Sequence, residues 1–280
     1  MTAAADPFSG QGADADALAE IYDLEHDAVV EDRAFYRELT RRVRGAVLDL
    51  GCGSGRLFRS FLDGRASRIV AVDASAAMLR RAANRIAGDP RLALAAAEGR
   101  IELVHGDVRG VRRAERFGLI VAAGVLPHFD GPDDASRLLG RATRLLTPRG
   151  LLVLDDLGPG ALPTTDLPLT LDWTIESSGR RFTRRSQLTR RAAPEGLRVT
   201  LSTVVDVQDP DGTIARLPAS FRLWYPSVDA VTRLVEAAGL AVAAVHGSYD
   251  LAAFTADSER LIVLGRRIRH RAARPVVEHA

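Results

Sequence analysis

Hydrophobic residues follow a helical period at the start of the chain and alternate between strand-like and helical segments after it. Apolar side chains recur at helical spacing between 14 and 44, beginning with Leu18, Ile21 and Tyr22, which predicts one or two amphipathic helices. The strands predicted after them are 46–50, 68–72, 101–104, 117–122 and 151–154, and the helices are 55–61, 75–86 and 133–146. Strands separated by helices predict a parallel sheet with helices on both faces.

The pattern changes after Pro159. Four stretches alternate polar with apolar or β-branched residues, at 174–177, 181–189, 198–207 and 213–223. Turn signals such as Ser178-Gly179 separate them, which predicts an antiparallel insert. Helical spacing returns at 228–238, and strands follow at 241–246 and 260–265. The predicted segments are a helical cap at 1–44, an α/β core at 45–160, a β insert or lid at 161–226, the rest of the core at 227–268 and a flexible tail at 269–280.

Composition narrows the class of protein. Of the 280 residues, 46% are apolar, which is enough for a sizeable core, but no apolar run approaches the roughly 20 residues that cross a bilayer. No basic leader precedes an apolar stretch, so we expect a cytoplasmic protein that does not bind membranes. Cys52 is the single cysteine, and the six histidines are scattered, so we expect no disulfide and no metal site.

Charge gives a further constraint. All 38 basic residues are arginines, set against 36 carboxylates, and a net charge of +2 argues against nucleic-acid binding. The arginine runs are short and are more typical of solvated faces of helices and strands. Arginine without lysine, together with abundant alanine, suggests a GC-rich bacterial genome.

The glycine loop at 47–56, Val-Leu-Asp-Leu-Gly-Cys-Gly-Ser-Gly-Arg, carries most of the functional information. Its glycines allow a sharp turn and a close approach of backbone to ligand at the end of a strand. Arg56 stands where a pyrophosphate-binding loop would need its third glycine, and Asp49 precedes Gly51. A carboxylate there suits a ligand that carries an ammonium group, which favours S-adenosylmethionine (SAM) over NAD.

Two further carboxylates follow predicted strands. Asp73 ends the second strand and could accept hydrogen bonds from both hydroxyls of a ribose. Asp107 follows the third strand and could bind an adenine amino group, with Val108 beside the ring. Each aspartate alone could be an ordinary helix cap, but the order of loop, Asp73 and Asp107 indicates a nucleoside cofactor.

With the segment 146–152, Leu-Thr-Pro-Arg-Gly-Leu-Leu, these motifs resemble those of class I SAM-dependent methyltransferases over about 46–154. The resemblance implies an α/β fold with a seven-stranded, mostly parallel Rossmann-like sheet, helices on both faces and an antiparallel last strand. It implies SAM as cofactor and S-adenosyl-L-homocysteine (SAH) as product. The cofactor-binding residues predicted on this basis are Asp49, Gly51, Cys52, Gly53, Gly55, Asp73, Ala74, Met78, Asp107, Val108, Ala123 and Gly124.

Methyl transfer is an in-line displacement, so the protein mainly aligns the acceptor and removes a proton where needed. His128, after the fourth strand, is a candidate base, and its alternative role is packing or capping of the cofactor pocket. Tyr22 is a second catalytic candidate, with an ordinary helix aromatic as the alternative. Tyr22 and His128 are also predicted to contact the acceptor. The insert ends at 221–226, where we predict acceptor contacts from Arg222, Trp224 and Tyr225; a hinge or homodimer surface is the alternative.

The combination of Tyr22-Asp23, His128 and the insert is similar to small-molecule methyltransferases such as sugar-amine and glycine-type N-methyltransferases. Asp155 and Asp156 suggest a magnesium site, but the fourth strand ends in Val121-Ala122-Ala123 without a further carboxylate, so we expect a metal-independent enzyme. The alternatives are a repurposed SAM-binding protein, either a cyclase or a non-catalytic subunit, and an NAD-dependent oxidoreductase.

Overall fold

The computed structural model describes residues 14–193 and 195–267. The predicted tail, residue 268 and the first 13 residues of the predicted cap lie outside this part of the chain. The helices are α1 (Ala15–His26), α2 (Glu31–Val43), α3 (Phe58–Asp63), α4 (Ala76–Gly88), α5 (Pro90–Ala97), α6 (Pro132–Leu145) and α7 (Val228–Ala237). The strands are β1 (Val47–Leu50), β2 (Ile69–Asp73), β3 (Ile101–His105), β4 (Phe117–Ala123), β5 (Leu146–Leu157), β6 (Leu167–Ser177), β7 (Arg180–Ala193), β8 (Gly196–Gln208), β9 (Ile214–Pro226), β10 (Leu240–His246) and β11 (Arg260–Arg267).

Seven strands form the central sheet in the order β10-β11-β5-β4-β1-β2-β3. The pairings among β1 to β5 are parallel, whereas β11 runs antiparallel to both β5 and β10. The fold predicted from the sequence is confirmed, including the antiparallel last strand. Because the first five strands are parallel, their carboxyl ends meet at one edge, where ligands bind in open α/β sheets.

The insert forms a separate four-stranded antiparallel sheet in the order β6-β7-β8-β9. All four strands were predicted, but they are longer than the alternating stretches. Helix α1 packs on this second sheet through Leu18 and Ile21, which share a buried cluster with Phe182, Val205 and Val207. Ala19, on another side of α1, packs against the start of α4. The helix therefore lies between the insert and the central fold.

Helix starts follow local chemistry. Asp14, Ser75, Asp89 and Ser227 each accept a hydrogen bond from a backbone N–H in the first turn of the helix that follows. Helix α5 was not predicted, although the capping Asp89 followed by Pro90 is a start signal. Helix α3 begins at Phe58, later than predicted, because Gly55 has a φ of +77° and belongs to the preceding turn.

Candidate functional site

The loop between β1 and α3 is shaped by its glycines. Gly51, Gly53 and Gly55 have φ values of +74°, +54° and +77°, which glycine adopts without strain. The amides of Gly51 and Cys52 both donate to the Val72 carbonyl, at 2.8 and 3.1 Å. A Cβ atom on Gly51 would lie 2.6 Å from Val125 Cγ2, so this glycine also allows the loop after β4 to approach.

Asp73 links this loop to the end of β2. Its Oδ2 accepts from the Gly53 amide at 2.7 Å, and its Oδ1 accepts from the Ser75 amide at 2.8 Å. The carboxylate is thus both part of the loop and the N-terminal support of α4. Its contact with a ribose stays a prediction, as do those of Ala74 and of Met78, which packs against α1 in a buried cluster.

Asp49 is buried beneath the loop at 3% exposure. Burial and the neighbouring Asp73 raise the pKa of this carboxyl to about 7, and Arg56 opposes the rise. A buried carboxyl without a strong cationic partner holds its proton more tightly than usual. An ammonium group at the loop would favour the charged form, which is the ligand chemistry expected from the sequence.

Tyr22 on α1 covers the loop. A Cβ atom on Gly53 would meet the Tyr22 hydroxyl at 3.7 Å, and the phenol ring stacks on His26 with centroids 4.0 Å apart. Burial, and then the charges of Asp23, Asp73 and Asp49, raise the pKa of Tyr22, against the opposing effect of Arg56. The phenol therefore stays protonated at neutral pH and can donate a hydrogen bond.

Arginines fasten the helical cap to the loop. Asp23 on α1 accepts from Arg81 and from Arg85, the latter at 3.3 Å, and Arg85 Nε also donates to the Ser54 carbonyl at 3.0 Å. Arg56 pairs with Asp32 of α2, with a 2.9 Å bond from Nη1 to Oδ1. The residue that replaces the third glycine thus serves as an anchor for the cap.

Asp107 is hydrogen-bonded by Arg109, two residues later in the same turn. Its carboxylate accepts from the Arg109 guanidinium at 2.8 to 3.0 Å, and Arg109 also contacts Asp134 at 2.8 Å. Burial raises the pKa of Asp107, but the hydrogen bonds and charge of Arg109 outweigh it and lower the pKa. Contact of Asp107 and the buried Val108 with adenine stays a prediction.

The loop after β4 brings the acceptor candidates close to the glycine loop. Gly124 has a φ of +67° and open space where its Cβ would be, and its amide donates to the Asp155 carbonyl at 2.8 Å. A 3₁₀ turn follows at Leu126–His128. The His128 ring is open to solvent, yet surrounding protein lowers its pKa, a combination typical of a side chain that lines a cleft. The imidazole is therefore neutral at pH 7.

The last strand of the insert packs on this 3₁₀ turn. Trp224 is 1% exposed and lies in the main core, whereas Arg222, two residues earlier on the same face of β9, is exposed. Tyr225 points to the opposite face of β9. Burial, and then the charge of Asp156, raise the pKa of the Tyr225 phenol to about 12. Of the three insert residues predicted to bind the acceptor, Tyr225 feels the charges of Asp156 and Arg260 at the end of β5.

The end of β5 carries a polar network that sequence reasoning did not find. Asp155 accepts from Tyr36 at 2.6 Å, from Tyr249 at 3.1 Å and from Arg260 Nε at 3.0 Å. These partners come from α2, from the segment before β11 and from β11 itself. The carboxylate therefore joins the cap to the central sheet, and its only sequence signal was its position after a strand.

Two features are absent from residues 14–193 and 195–267. No helix in those ranges is long and apolar enough to span a membrane. In the same ranges, no group of three or more His, Cys, Asp or Glu side chains is arranged to hold a metal ion.

Comparisons with known proteins agree with this geometry. The sequence profile of a family described as "Methyltransferase domain" matches residues 47–150. The mitochondrial ubiquinone biosynthesis O-methyltransferase of Schizosaccharomyces pombe is 34% identical over 111 residues, which are 40% of this chain and 37% of that protein. The carboxy-S-adenosyl-L-methionine synthase of Shewanella halifaxensis is 33% identical over 113 residues, 39% of this chain and 43% of that protein. The chain thus aligns with less than half the length of these curated relatives.

Solved structures resemble the chain over most of its length. The CcbJ methyltransferase of Streptomyces caelestis has a TM-score of 0.69 at 24% identity and covers 90% of this chain and 96% of its own. CalS10, an amino pentose methyltransferase from Micromonospora echinaspora, has a TM-score of 0.66 at 20% identity, with 88% and 96% covered. The sugar N-methyltransferase KedS8 from a Streptoalloteichus species has a TM-score of 0.66 at 17% identity, with 89% and 92% covered. These likenesses show the shared fold.

A seven-stranded sheet with a glycine loop and acidic strand ends at its carboxyl edge defines a class I SAM-dependent methyltransferase fold. Residues 47–150 match the methyltransferase-domain family, and the likeness to solved methyltransferases extends this fold over most of the chain. One of these neighbours, CalS10, was solved with SAM bound.

Proposed function

We propose that the chain transfers the methyl group of SAM to a nitrogen or oxygen atom of a small-molecule acceptor, without a metal ion. The observation that carries the proposal is the convergence of the Gly51–Gly55 loop, Asp49 and Asp73 at one sheet edge, inside the segment that matches the methyltransferase domain. Cofactor contacts at Asp49, Asp73, Asp107 and the loop remain part of this proposal.

The residues at the loop fit the cofactor chemically. SAM, when bound, supplies a methyl group that its sulfonium has already activated. Asp49 would pair with the ammonium of the methionine part, the loop backbone would lie against that part, and Asp73 would accept from the ribose. Tyr22 covers the loop and excludes water from it.

Support for a small acceptor comes from the insert, because β9 packs on the 3₁₀ turn that carries His128. The names of the neighbours support nitrogen, as in the amino pentose and sugar N-methyltransferases, and that of one relative supports oxygen. Metal independence is supported by Asp155, whose carboxylate is taken by Arg260 and two tyrosines. A homodimer and the absence of nucleic-acid and membrane partners stay predictions.

A second function is a repurposed SAM-binding protein. A relative named carboxy-S-adenosyl-L-methionine synthase favours this alternative, since its name describes synthesis of a modified SAM. Detection of a methylated acceptor together with SAH distinguishes the methyltransferase from this alternative. Consumption of SAM with no methylated acceptor would contradict our proposal.

Cofactor binding is tested by calorimetry with SAH. Asp73→Ala removes the acceptor of the Gly53 amide and the proposed ribose contact, so we expect affinity to fall at least about tenfold, the equivalent of about 1.4 kcal/mol. Asp229→Ala, at an exposed position of α7, is the control and should bind as the wild type does. Equal affinity in the Asp73 and Asp229 variants would contradict the site, and stabilisation by NAD but not by SAH would favour an oxidoreductase.

A further inference from the structure

Asp156, next to last in β5, is a buried carboxyl with an unsatisfied oxygen. It is 4% exposed, and its Oδ1 has no hydrogen-bond partner among the residues described. A buried acceptor oxygen without a donor is unfavourable, so such a group in a native fold calls for an explanation. An ammonium or amine group is a donor that would satisfy it.

Asp156 lies at the carboxyl end of β5, beside the end of β4. In the sheet, Ala123 pairs with Asp155, and the Gly124 amide donates to the Asp155 carbonyl. Asp156 is therefore next to the loop after β4, whose Val125 approaches Gly51 of the glycine loop. Gly51, Val125 and the end of β5 are thus successive spatial neighbours, and they link the glycine loop to Asp156.

The charged and titratable groups near Asp156 are few. Asp155 belongs to its own strand, Arg260 comes from β11, and Tyr225 comes from β9. Arg260 already donates to Asp155, so it is not a dedicated partner for the second carboxyl. Burial and the Asp155 charge raise the pKa of Asp156 to about 8, against the effect of Arg260.

Tyr225, which is close enough to Asp156 to feel its charge, lies on a largely apolar face of the insert. Tyr225 shares its face of β9 with Phe221 and with residues that pack on α1. The opposing residues of β8 are Leu197 and Leu201, each partly buried. A ligand held between Asp156 and this face would meet one carboxyl and a hydrocarbon surface.

We propose that Asp156 binds the amino group of the methyl acceptor and takes its proton, so that the acceptor is a basic amine with an apolar body. This inference rests on the proposed function and narrows it. A proton moves from the ammonium nitrogen to the Asp156 carboxylate, and the freed lone pair forms the new N–C bond to the methyl carbon. The C–S bond breaks with its electron pair left on sulfur, which yields SAH and the methylated ammonium.

The test compares phenethylamine with phenethyl alcohol on the full chain saturated with SAH. The two probes share an apolar body and differ only in the amine. We expect the amine to bind at least tenfold more tightly by calorimetry. Its affinity should rise between about pH 6 and pH 8, because Asp156 must lose a proton before it pairs with the ammonium.

Variants complete the test. Asp156→Asn resembles the protonated acid in shape, and we expect it to bind SAH normally but to lose the preference for the amine. Asp229→Asn should keep that preference. Equal affinity of wild type for the two probes, or an amine preference that survives in Asp156→Asn, overturns the proposal. The wild-type ratio and its pH dependence decide the matter even if the variant does not fold, and loss of SAH binding by the wild type would instead refute the proposed function.

Discussion

At the scale of single residues, we expect Asp49 to make cofactor affinity depend on pH. Its pKa is raised to about 7, mainly by burial, and pairing with the ammonium of SAH requires the ionised form. We expect SAH affinity to rise between about pH 5 and pH 8, with proton release on binding below about pH 7. Calorimetry in buffers of different ionisation enthalpy measures that release. Asp49→Asn should bind weakly and release no proton, and an unchanged pH profile in this variant would contradict the assignment.

His128 and Asp156 can be ranked as proton acceptors by their environments. Desolvation by the surrounding protein lowers the pKa of the exposed His128, which makes it a weak base, whereas burial strengthens Asp156 as a base. With an amine acceptor we expect His128→Ala to reduce kcat/KM less than Asp156→Asn does and to leave the pH profile unchanged. A His128→Ala profile that loses its acidic limb would assign the proton to the imidazole instead.

Gly55 should tolerate substitution worse than another glycine of similar backbone conformation. Gly55 and Gly99 have φ values of +77° and +71°, but a Cβ on Gly55 would lie 2.5 Å from the Phe58 ring, while Gly99 has open space. The left-handed conformation alone costs about 1–2 kcal/mol. Denaturant unfolding should show a larger loss for Gly55→Ala than for Gly99→Ala, and equal losses would mean that Phe58 moves freely.

At the scale of elements, two ion-pair sites join α1 to α4 and differ in burial. Asp23, with a side chain 11% exposed, pairs with Arg81 and Arg85, whereas Asp16 pairs with Arg80 where both are more than half exposed. We expect Asp23→Asn to weaken docking of α1 by about 1–3 kcal/mol, and Asp16→Asn by less than about 1 kcal/mol. Hydrogen exchange of α1 amides measures both, and similar protection in the two variants would contradict the difference.

The elements themselves were largely predictable, because periodicity reports which faces are buried. Mainly apolar runs predicted β1 to β4, and the buried β1, β2 and β4 need no alternation because both faces of a parallel sheet are covered. The missed α5 is a short alanine-rich segment in which the apolar period is weak. The first half of β6 was missed because Pro168 is a strand-breaking signal, and the end of β7 was missed because Arg190 and Arg191 are polar although their backbones pair with β8.

The candidate site residues also differ in how far a local sequence pattern could predict them. Asp49 and Asp73 could be found because each stands at a strand end in a short motif. The Tyr36–Asp155 bond joins residues 119 positions apart, so no local pattern encodes it. The sequence at the end of β9 also did not predict that Trp224 faces the core while Tyr225 faces the end of β5. Alternation along a strand shows that neighbouring side chains lie on opposite faces, but not which face is buried.

At the scale of the whole molecule, the proposed site lies where three bodies meet: the central sheet, the helical cap and the second sheet. The cap is held to the sheet by Asp155 and to the loop by Arg56 and Arg85, and the insert reaches the 3₁₀ turn through β9. Because every wall of the site comes from a different body, ligand binding should also strengthen contacts among them. This arrangement also leaves two carboxyl groups, Asp49 and Asp156, buried inside the protein.

The two buried carboxyl groups predict how the free energy of unfolding depends on pH. The pKa values of Asp49 and Asp156 are raised to about 7 and about 8, whereas an unfolded aspartate titrates near about 3.9. Between these limits the folded chain binds more protons than the unfolded chain, so the free energy of unfolding falls as pH rises. Each group contributes a slope of up to about 1.4 kcal/mol per pH unit in its window.

Asp156→Asn removes one of these groups and should flatten the curve. Near pH 4 the wild-type carboxyl is protonated in the folded state and about half protonated in the unfolded state, so its stability should be close to that of the variant. Near pH 8 the variant should be more stable by more than about 1 kcal/mol, because the unfolded wild type gains an ionised carboxyl that its folded state resists. Urea unfolding at both pH values, with Asp229→Asn as control, measures the difference. A variant that is destabilised equally at both pH values would mean that Asp156 has a polar partner in the folded state, and the unsatisfied oxygen would then not be available to an acceptor.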